Sequence, residues 1–140
     1  MENQKIQLGK TSEWVASEVL KADRKQYITK IMLELGMPAH LRGYHYLREA
    51  VSMTMDNMEL VGSVTKLLYP EVAKKFHTND QKVERAIRSV IEVSWKRGNE
   101  ELLEELFGYS GKHGERRPTN SEFIMAMADK IRMDRFHHEN

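Results

Sequence analysis

The chain has 140 residues, of which 40% are hydrophobic and 31% charged, a balance typical of one folded helical domain. It has no apolar run of about 18 residues and no apolar stretch at its N-terminus, so we expect no membrane span, no signal peptide and a cytoplasmic location. The absence of cysteine excludes disulfides, thiol chemistry and cysteine-bound zinc.

Apolar residues recur at spacings of three and four along almost the whole sequence, and this period predicts an all-α fold. We expect the first helix to carry Trp14, as a core residue, and Val15 on one side. Two helices are predicted with named caps: one over 58–69, capped by Asp56 or Asn57, and a last helix capped by Thr119 or Asn120. The other predicted helices cover 12–24 with a continuation to 35, 41–55, 70–77, 79–97 and 99–107.

Glycine, proline and capping residues mark the ends of these helices. Gly36 suits a left-handed C-terminal cap, and Pro70 suits the first turn of a helix. Thr78 followed by Gln81 has the form of a capping box, so the long helix is expected to start at Asn79. The sequence GYSGKHGERRPTN forms the longest predicted loop.

The helices predicted over 70–77 and 79–97 are joined by a short turn, and the second is the longer one. This order is typical of a helix-turn-helix. The turn contains His77 and Thr78 but lacks the glycine often found there, which indicates strain or an altered turn. Apolar residues would meet between the two helices: Val72, Phe76, Val83, Ala86 and Ile87.

The outer face of the 79–97 helix is polar, and lysines and arginines exceed acidic residues by four between Lys74 and Arg97 although the whole chain carries only +1. Arginine can donate twice to guanine and glutamate can accept from cytosine in the major groove. A solvated face with Glu84–Arg88 pairing is the alternative. The base-reading candidates are Gln81, Lys82, Glu84, Arg85, Arg88 and Ser89, and the phosphate-binding candidates are Lys74, Lys75, Lys96 and Arg97.

A family resemblance covers about Ile28 to Arg132. The chain closely resembles the C-terminal effector domain of the stage zero sporulation protein A family, response regulators that begin endospore formation in Firmicutes. The resemblance implies a helix-turn-helix transcription regulator that binds double-stranded DNA at boxes of the TGTCGAA type and pairs with itself on tandem boxes. The matching stretches are YHYLREAVSM, LLYPEVAKKF, KVERAIRSVIEVSWKRGN, LFGY and PTNSEFIMAMADKIR.

The resemblance also assigns roles to single residues. Glu84 and Arg85 match the family's base-reading pair, and Arg88 matches the arginine one turn later. Gln81 and Lys82 replace the usual Ser-Arg, Ser89 replaces a usual histidine, and these departures imply a different box preference. Phe107 matches the region that contacts the RNA polymerase sigma factor, where Leu102 and Glu104 replace small hydroxyl residues. Pairing is expected through the last helix, at Phe123, Ile124, Met127 and Ile131.

The expected organisation is a helical extension over 1–27, the effector domain over 28–136 and a frayed tail over 137–140. The family's regulators carry a phosphorylated receiver domain ahead of this domain, whereas only some 27 residues precede the match here. Phosphorylation is therefore not the expected switch. The alternative function is a protein-interaction module, in which the extension forms a partner helix and the chain pairs with a full-length relative and antagonises it.

Signatures of other chemistry are absent from the sequence. It has no H-E-x-x-H, G-x-S-x-G, P-loop or G-x-G-x-x-G motif, and its six histidines form no ligand pattern. We therefore expect no enzyme activity, no metal site and no cofactor.

Overall fold

A computed structural model of the chain describes residues 2–111 and 114–139, and the side chains of 1–14, 16–18 and 135–139 lie outside that description, as does the expectation for Trp14. The described residues form an all-α domain without strands. Among them, no helix is both long and apolar enough to cross a bilayer. The helices are α1 (Glu2–Glu34), α2 (Arg42–Asp56), a 3-10 helix (Met58–Ser63), a π-helix (Val64–Leu68), α3 (Tyr69–Lys75), α4 (Asp80–Arg97), α5 (Glu100–Phe107) and α6 (Asn120–Glu139).

The first helix, α1, is a single 33-residue element that crosses the expected boundary between residues 27 and 28. Its C-terminal part is buried, with Ile28, Met32 and Leu35 in the core. Further towards the N-terminus, Val15 and Val19 are 43% and 53% exposed, so this part of α1 projects beyond the core. Residues 2–27 of the expected extension are therefore continuous in their backbone with the domain.

Gly36 ends α1 in the left-handed conformation, with φ of 76°. The N–H of Met37 donates to the carbonyl of Met32 at 3.1 Å, and the N–H of Gly36 donates to that of Leu33 at 3.0 Å. This pair of bonds is a Schellman motif, which satisfies carbonyls that the last turn of a helix leaves without partners. The cap predicted at Gly36 is confirmed.

The single helix predicted over 58–69 is wrong. Asn57 does cap this region, since its side chain accepts from the N–H of Glu59 at 3.1 Å. The chain then forms a 3-10 helix and a π-helix, in which the N–H of Tyr69 donates to Val64, five residues back. Pro70 lacks the N–H that a regular helix would need at the next position, and the wider turn leads into α3 without a break.

The core surrounds α2, which packs against α1, α4 and α6. Tyr44 and Leu47 of α2 are fully buried together with Ile87 of α4 and Phe123 of α6. This arrangement explains why α2 carries its apolar residues on more than one side. It places α4 at the surface of the domain, where one face packs on α2 and the opposite face is exposed to solvent.

The last helix, α6, begins with a reciprocal capping box. The hydroxyl of Thr119 accepts from the N–H of Glu122 at 3.1 Å, and the carboxylate of Glu122 accepts from the N–H of Thr119 at 2.9 Å. Of the two predicted caps, Thr119 is therefore the one used. The backbone stays helical to Glu139, beyond the expected domain end at 136, because no glycine or proline follows Pro118.

Candidate nucleic-acid interface

The inner face of α4 is locked into the domain. Its five buried residues are Val83, Ile87, Val90, Ile91 and Ser94. The helix starts one residue later than expected, because the side chain of Asn79 accepts from the N–H of Lys82 at 2.9 Å. The capping box predicted for Thr78 and Gln81 is therefore wrong. The N–H of Thr78 instead bonds to Ala73, where it closes α3.

Glycine allows α2 and α4 to approach very closely. A Cβ atom at Gly43 would lie 2.0 Å from the carbonyl oxygen of Ala86, which is far inside van der Waals contact. No larger residue fits at this position without a shift of backbone. The position of the first two turns of α4 therefore depends on the missing side chain at Gly43.

Two buried polar side chains fasten α4 to other helices. The Nδ2 of Asn120, at the start of α6, donates to the carbonyl of Glu84 at 3.1 Å and to the hydroxyl of Tyr69 at 2.9 Å. The hydroxyl of Ser94 donates to the carbonyl of Leu35 at 2.8 Å. Because burial raises the pKa of Tyr69, its hydroxyl stays protonated at neutral pH. Both halves of α4 are thus held by hydrogen bonds as well as by apolar packing.

The outer face of α4 carries the predicted base-reading residues. Five of the six are exposed, and Glu84 is half-buried at the edge of the face. Glu84 and Arg88 form an ion pair at 3.5 Å, with each side chain more than a third exposed. Such a pair contributes only a few tenths of a kcal/mol and leaves both groups accessible to a ligand. The structure brings these residues together: Gln81, Lys82, Glu84, Arg85, Arg88 and Ser89.

A shallow groove of about 360 Å³ lies along the Glu84 side of this face. Its walls include Thr65 of the π-helix and Tyr69 of α3, together with outer-face residues of α4. Neither Thr65 nor Tyr69 was predicted as a site residue. The only available signal was their position just before the predicted helix-turn-helix.

The four predicted phosphate-binding residues do not share one environment. Lys74 and Lys96 are exposed. Lys75 is engaged, since its Nζ donates to the carboxylate of Glu49 at 2.6 Å. Arg97 is exposed but lies about 120° around the α4 axis from Arg85, so it points away from the outer face. Of the four, only Lys75 has an ion-pair partner in the described part of the chain, and Arg97 is set apart by its direction, so Lys74 and Lys96 remain the candidates.

The buried carboxylate of Glu49 joins α1, α2 and α3. It accepts from Lys75 at 2.6 Å and pairs with Lys25 at 3.1 Å. Burial acts to raise the pKa of Glu49, but the hydrogen bonds from Lys75 and Lys25 outweigh it and hold the pKa below its ordinary value. Glu49 is therefore ionised at neutral pH and serves the fold.

A second cleft, of about 430 Å³, lies at the turn between α3 and α4. We call it the turn cleft. His77 in this turn is the one residue other than glycine with positive φ, 55°, in the described part of the chain. A side chain in this conformation lowers the stability of the fold by about 1 kcal/mol or more. The backbone strain expected for a turn without glycine is therefore present. The cleft is lined by Arg42, His45, Tyr46, Phe76, His77, Thr78 and Lys82.

Phe107 is half-buried at the end of α5. Its ring centroid lies 6.3 Å from that of Trp95 and 5.1 Å from that of Phe123. The ring therefore belongs to an aromatic cluster that joins α4, α5 and α6. A polymerase contact through Phe107 stays a prediction, and that contact would use only the exposed part of the ring.

The expected pairing surface on α6 needs a correction. Phe123, Ile124, Met127 and Ile131 are each 0% exposed and form part of the core against α2. They point inward because an amphipathic helix buries its apolar stripe in its own domain first. The solvent-facing side of α6 carries other residues, among them Met125 and Met133, which are 51% and 55% exposed.

The sequence matches the family described as "Sporulation initiation factor Spo0A C terminal" over residues 28–131, which is most of the chain. The chain belongs to this family. The Spo0A C-terminal domain is the DNA-binding effector domain of the sporulation regulator, and the family is one of transcription factors rather than enzymes. The resemblance noted from the sequence is confirmed, as is the all-α fold.

The matched range includes every element that forms the outer face of α4 and the turn cleft. It starts at Ile28, the first fully buried residue among the α1 side chains that the structure describes, and ends at Ile131 in the core part of α6. The part of α1 that projects beyond the core lies outside the match. The Spo0A C-terminal family thus accounts for the packed domain.

Proposed function

We propose that the chain is a sequence-specific regulator of transcription that inserts the first three turns of α4 into the major groove of double-stranded DNA. In this reading Arg85 and Arg88 donate to guanine, and Glu84 accepts from cytosine. Gln81, Lys82 and Ser89 tune the choice of bases, while Lys74 and Lys96 contact phosphates. The two groups of residues give specificity and affinity respectively.

One observation carries the proposal: the inner face of α4 is fixed in the domain while Arg85 and Arg88 on its outer face are exposed. Buried apolar residues and the bonds from Asn120 and Ser94 fix the helix axis. Arg85 and Arg88 are exposed, and neither packs beneath a neighbouring helix. A rigid support with unoccupied donors is what direct readout requires, since a base contact contributes only when the helix keeps its register on the DNA.

Competition binding by fluorescence anisotropy tests the proposal. The probes are a duplex that carries a TGTCGAA-type box and a scrambled duplex of the same composition. Arg85→Ala should weaken binding to the box about 10- to 100-fold and weaken binding to the scrambled duplex much less, because one bidentate pair to guanine contributes roughly 1–3 kcal/mol. Its thermal stability should match that of the unsubstituted chain.

Arg132→Ala is the matched control, since Arg132 is an exposed arginine on α6, far along the chain from α4. It removes the same charge and should leave both affinities unchanged within about twofold. Equal loss on both duplexes for Arg85→Ala would contradict base readout. Failure of the unsubstituted chain to bind either duplex across a salt series would overturn the proposal and favour the protein-interaction alternative.

A further inference from the structure

We infer that the turn cleft is a binding site for a phosphodiester group of the DNA backbone, formed by Arg42, His77 and Lys82. The inference rests on the proposed function and adds to it a second kind of contact, from α2 and from the turn itself. Neither Arg42 nor His77 belongs to the residues predicted to touch DNA, and the inference moves Lys82 from the base-reading set to the phosphate contacts.

The first observation is the conformation of His77. The turn closes α3 with a Schellman motif, in which Thr78 donates to Ala73 at 2.9 Å and His77 occupies the left-handed position. Glycine fills this position without strain. Within the described part of the chain the imidazole makes no hydrogen bond or ion pair that would explain its retention. A strained side chain without a partner inside the protein indicates a partner outside it.

The second observation is the chemistry of the cleft. Its floor is apolar, made by the rings of Tyr46 and Phe76 with centroids 5.0 Å apart. Its rim carries the guanidinium of Arg42 and the ammonium of Lys82, both exposed and both without an ion pair among the described residues. None of the described residues that line the cleft is acidic. Two uncompensated cations beside a hydroxyl, that of Thr78, form an environment suited to an anion.

His45 belongs to the wall of the cleft but not to its donors. Its Nε2 lies 3.0 Å from the carbonyl of Ala39, and its Nδ1 lies 3.3 Å from a guanidinium nitrogen of Arg48. These neighbours fix the tautomer, because a carbonyl requires a donor and a guanidinium requires an acceptor. Both ring nitrogens are therefore occupied, and His77 supplies the free imidazole.

The third observation is where the cleft lies relative to α4. Lys82 is about 60° around the helix axis from Arg85, on the side away from Glu84 and the groove of Thr65 and Tyr69. A helix that lies in a major groove about 12 Å wide has a sugar–phosphate backbone on each of its two sides. The turn cleft lies on one side of α4, where one of these two DNA backbones would pass. A backbone phosphate is therefore the anion that the cleft would contact.

The decisive variant is His77→Gly, because we expect it to increase the stability of the fold and to decrease the affinity for DNA. Removal of the strain should raise the melting temperature by about 3 °C. Loss of the imidazole donor should weaken binding to the box duplex and the scrambled duplex by the same factor, about threefold to tenfold at low salt. A variant that is more stable yet binds DNA less tightly cannot owe its weaker binding to unfolding.

Arg42→Ala is the second variant that tests the phosphate contact. It should weaken binding equally on both duplexes and lower the slope of log affinity against log salt by about 0.9, the value for one lost phosphate contact. Arg132→Ala, the same change on α6, should leave the slope unaltered. Unchanged affinity in both His77→Gly and Arg42→Ala would overturn the inference, while the Arg85→Ala result would still stand for the proposed function.

Two other outcomes would also overturn the inference. A loss confined to the box duplex would show that these residues read bases rather than phosphate. Binding of millimolar inorganic phosphate to the unsubstituted chain but not to Arg42→Ala, with the same DNA affinity in both, would assign the cleft to a free phosphate ligand. Binding of DNA that is insensitive to inorganic phosphate but sensitive to both substitutions is the expected result.

Discussion

The two faces of α4 show how one helix separates support from recognition. On the inner face, Val83, Ile87, Val90 and Ile91 are completely buried, and Ser94 donates a buried hydrogen bond. On the outer face, Arg85 and Arg88 are exposed, and the ion pairs of this face, Glu84 with Arg88 and Glu92 with Arg117, are surface pairs at 3.5 Å that contribute little. Substitutions on the two faces should therefore have separable effects: the inner contacts govern stability, and the outer groups govern affinity for a ligand.

The largest effect is expected where α2 supports the inner face. Gly43→Ala should lower the free energy of unfolding by about 3 kcal/mol, because the new methyl group would collide with the backbone of Ala86 and push α4 outward. Urea unfolding followed by circular dichroism measures this. Gly62→Ala is the matched control, since a Cβ there meets nothing within 4 Å. Similar stabilities for the two variants would contradict the close approach of α2 and α4.

A smaller effect is expected at the bond between α6 and α4. Asn120→Ala removes two buried hydrogen bonds, to Glu84 and to Tyr69, and should cost about 2 kcal/mol of unfolding free energy. A double-mutant cycle with Tyr69→Phe sharpens the test. The combined variant should lose less stability than the two single changes together, because they share one bond. Strict additivity would indicate that Asn120 and Tyr69 do not interact.

The smallest effect is expected at Glu49, which pairs with Lys75 at the edge of the predicted DNA surface. Its pKa in the folded chain lies below its ordinary value of 4.5, so ionised Glu49 contributes stability at neutral pH that is lost as pH falls below about 4.5. Glu49→Gln should cost about 1 kcal/mol at neutral pH and flatten the acid side of the stability curve.

Chemical denaturation at a series of pH values measures the Glu49 contribution. Glu71→Gln is the control, because it changes an exposed carboxylate on α3. If Glu49→Gln and the unsubstituted chain lost stability in parallel on acidification, the ion pair would not be the source of the acid sensitivity.

Much of the fold follows from local sequence signals. The period of apolar residues predicted the buried and exposed faces of α4, and Gly36 was correctly predicted as a helix end. These signals are local, because each depends on residues within one or two turns. The exposure of Arg85 and Arg88 was predictable for the same reason.

The remaining features depend on contacts between distant parts of the chain. Gly43 near Ala86, Lys75 on Glu49, and Asn120 on Glu84 are set by packing, which no periodicity reveals. The burial of the apolar stripe of α6 also required the fold, because a stripe looks the same whether it faces its own core or a partner. The turn cleft is formed by residues of α2 together with the turn, so it depends on the fold. The only local signal in the sequence was the presence of His77 where a glycine is usual.

The ends of α1 and α4 meet without side chains between them. A Cβ at Gly98 would lie 2.3 Å from the carbonyl of Leu35, and one at Gly36 would lie 3.2 Å from the Cα of Gly98. The junction therefore brings backbone against backbone, with the Ser94 hydroxyl that donates to Leu35 beside it. The α1 helix is about 50 Å long, and its close backbone contact with the end of α4 ties the orientations of the two helices together.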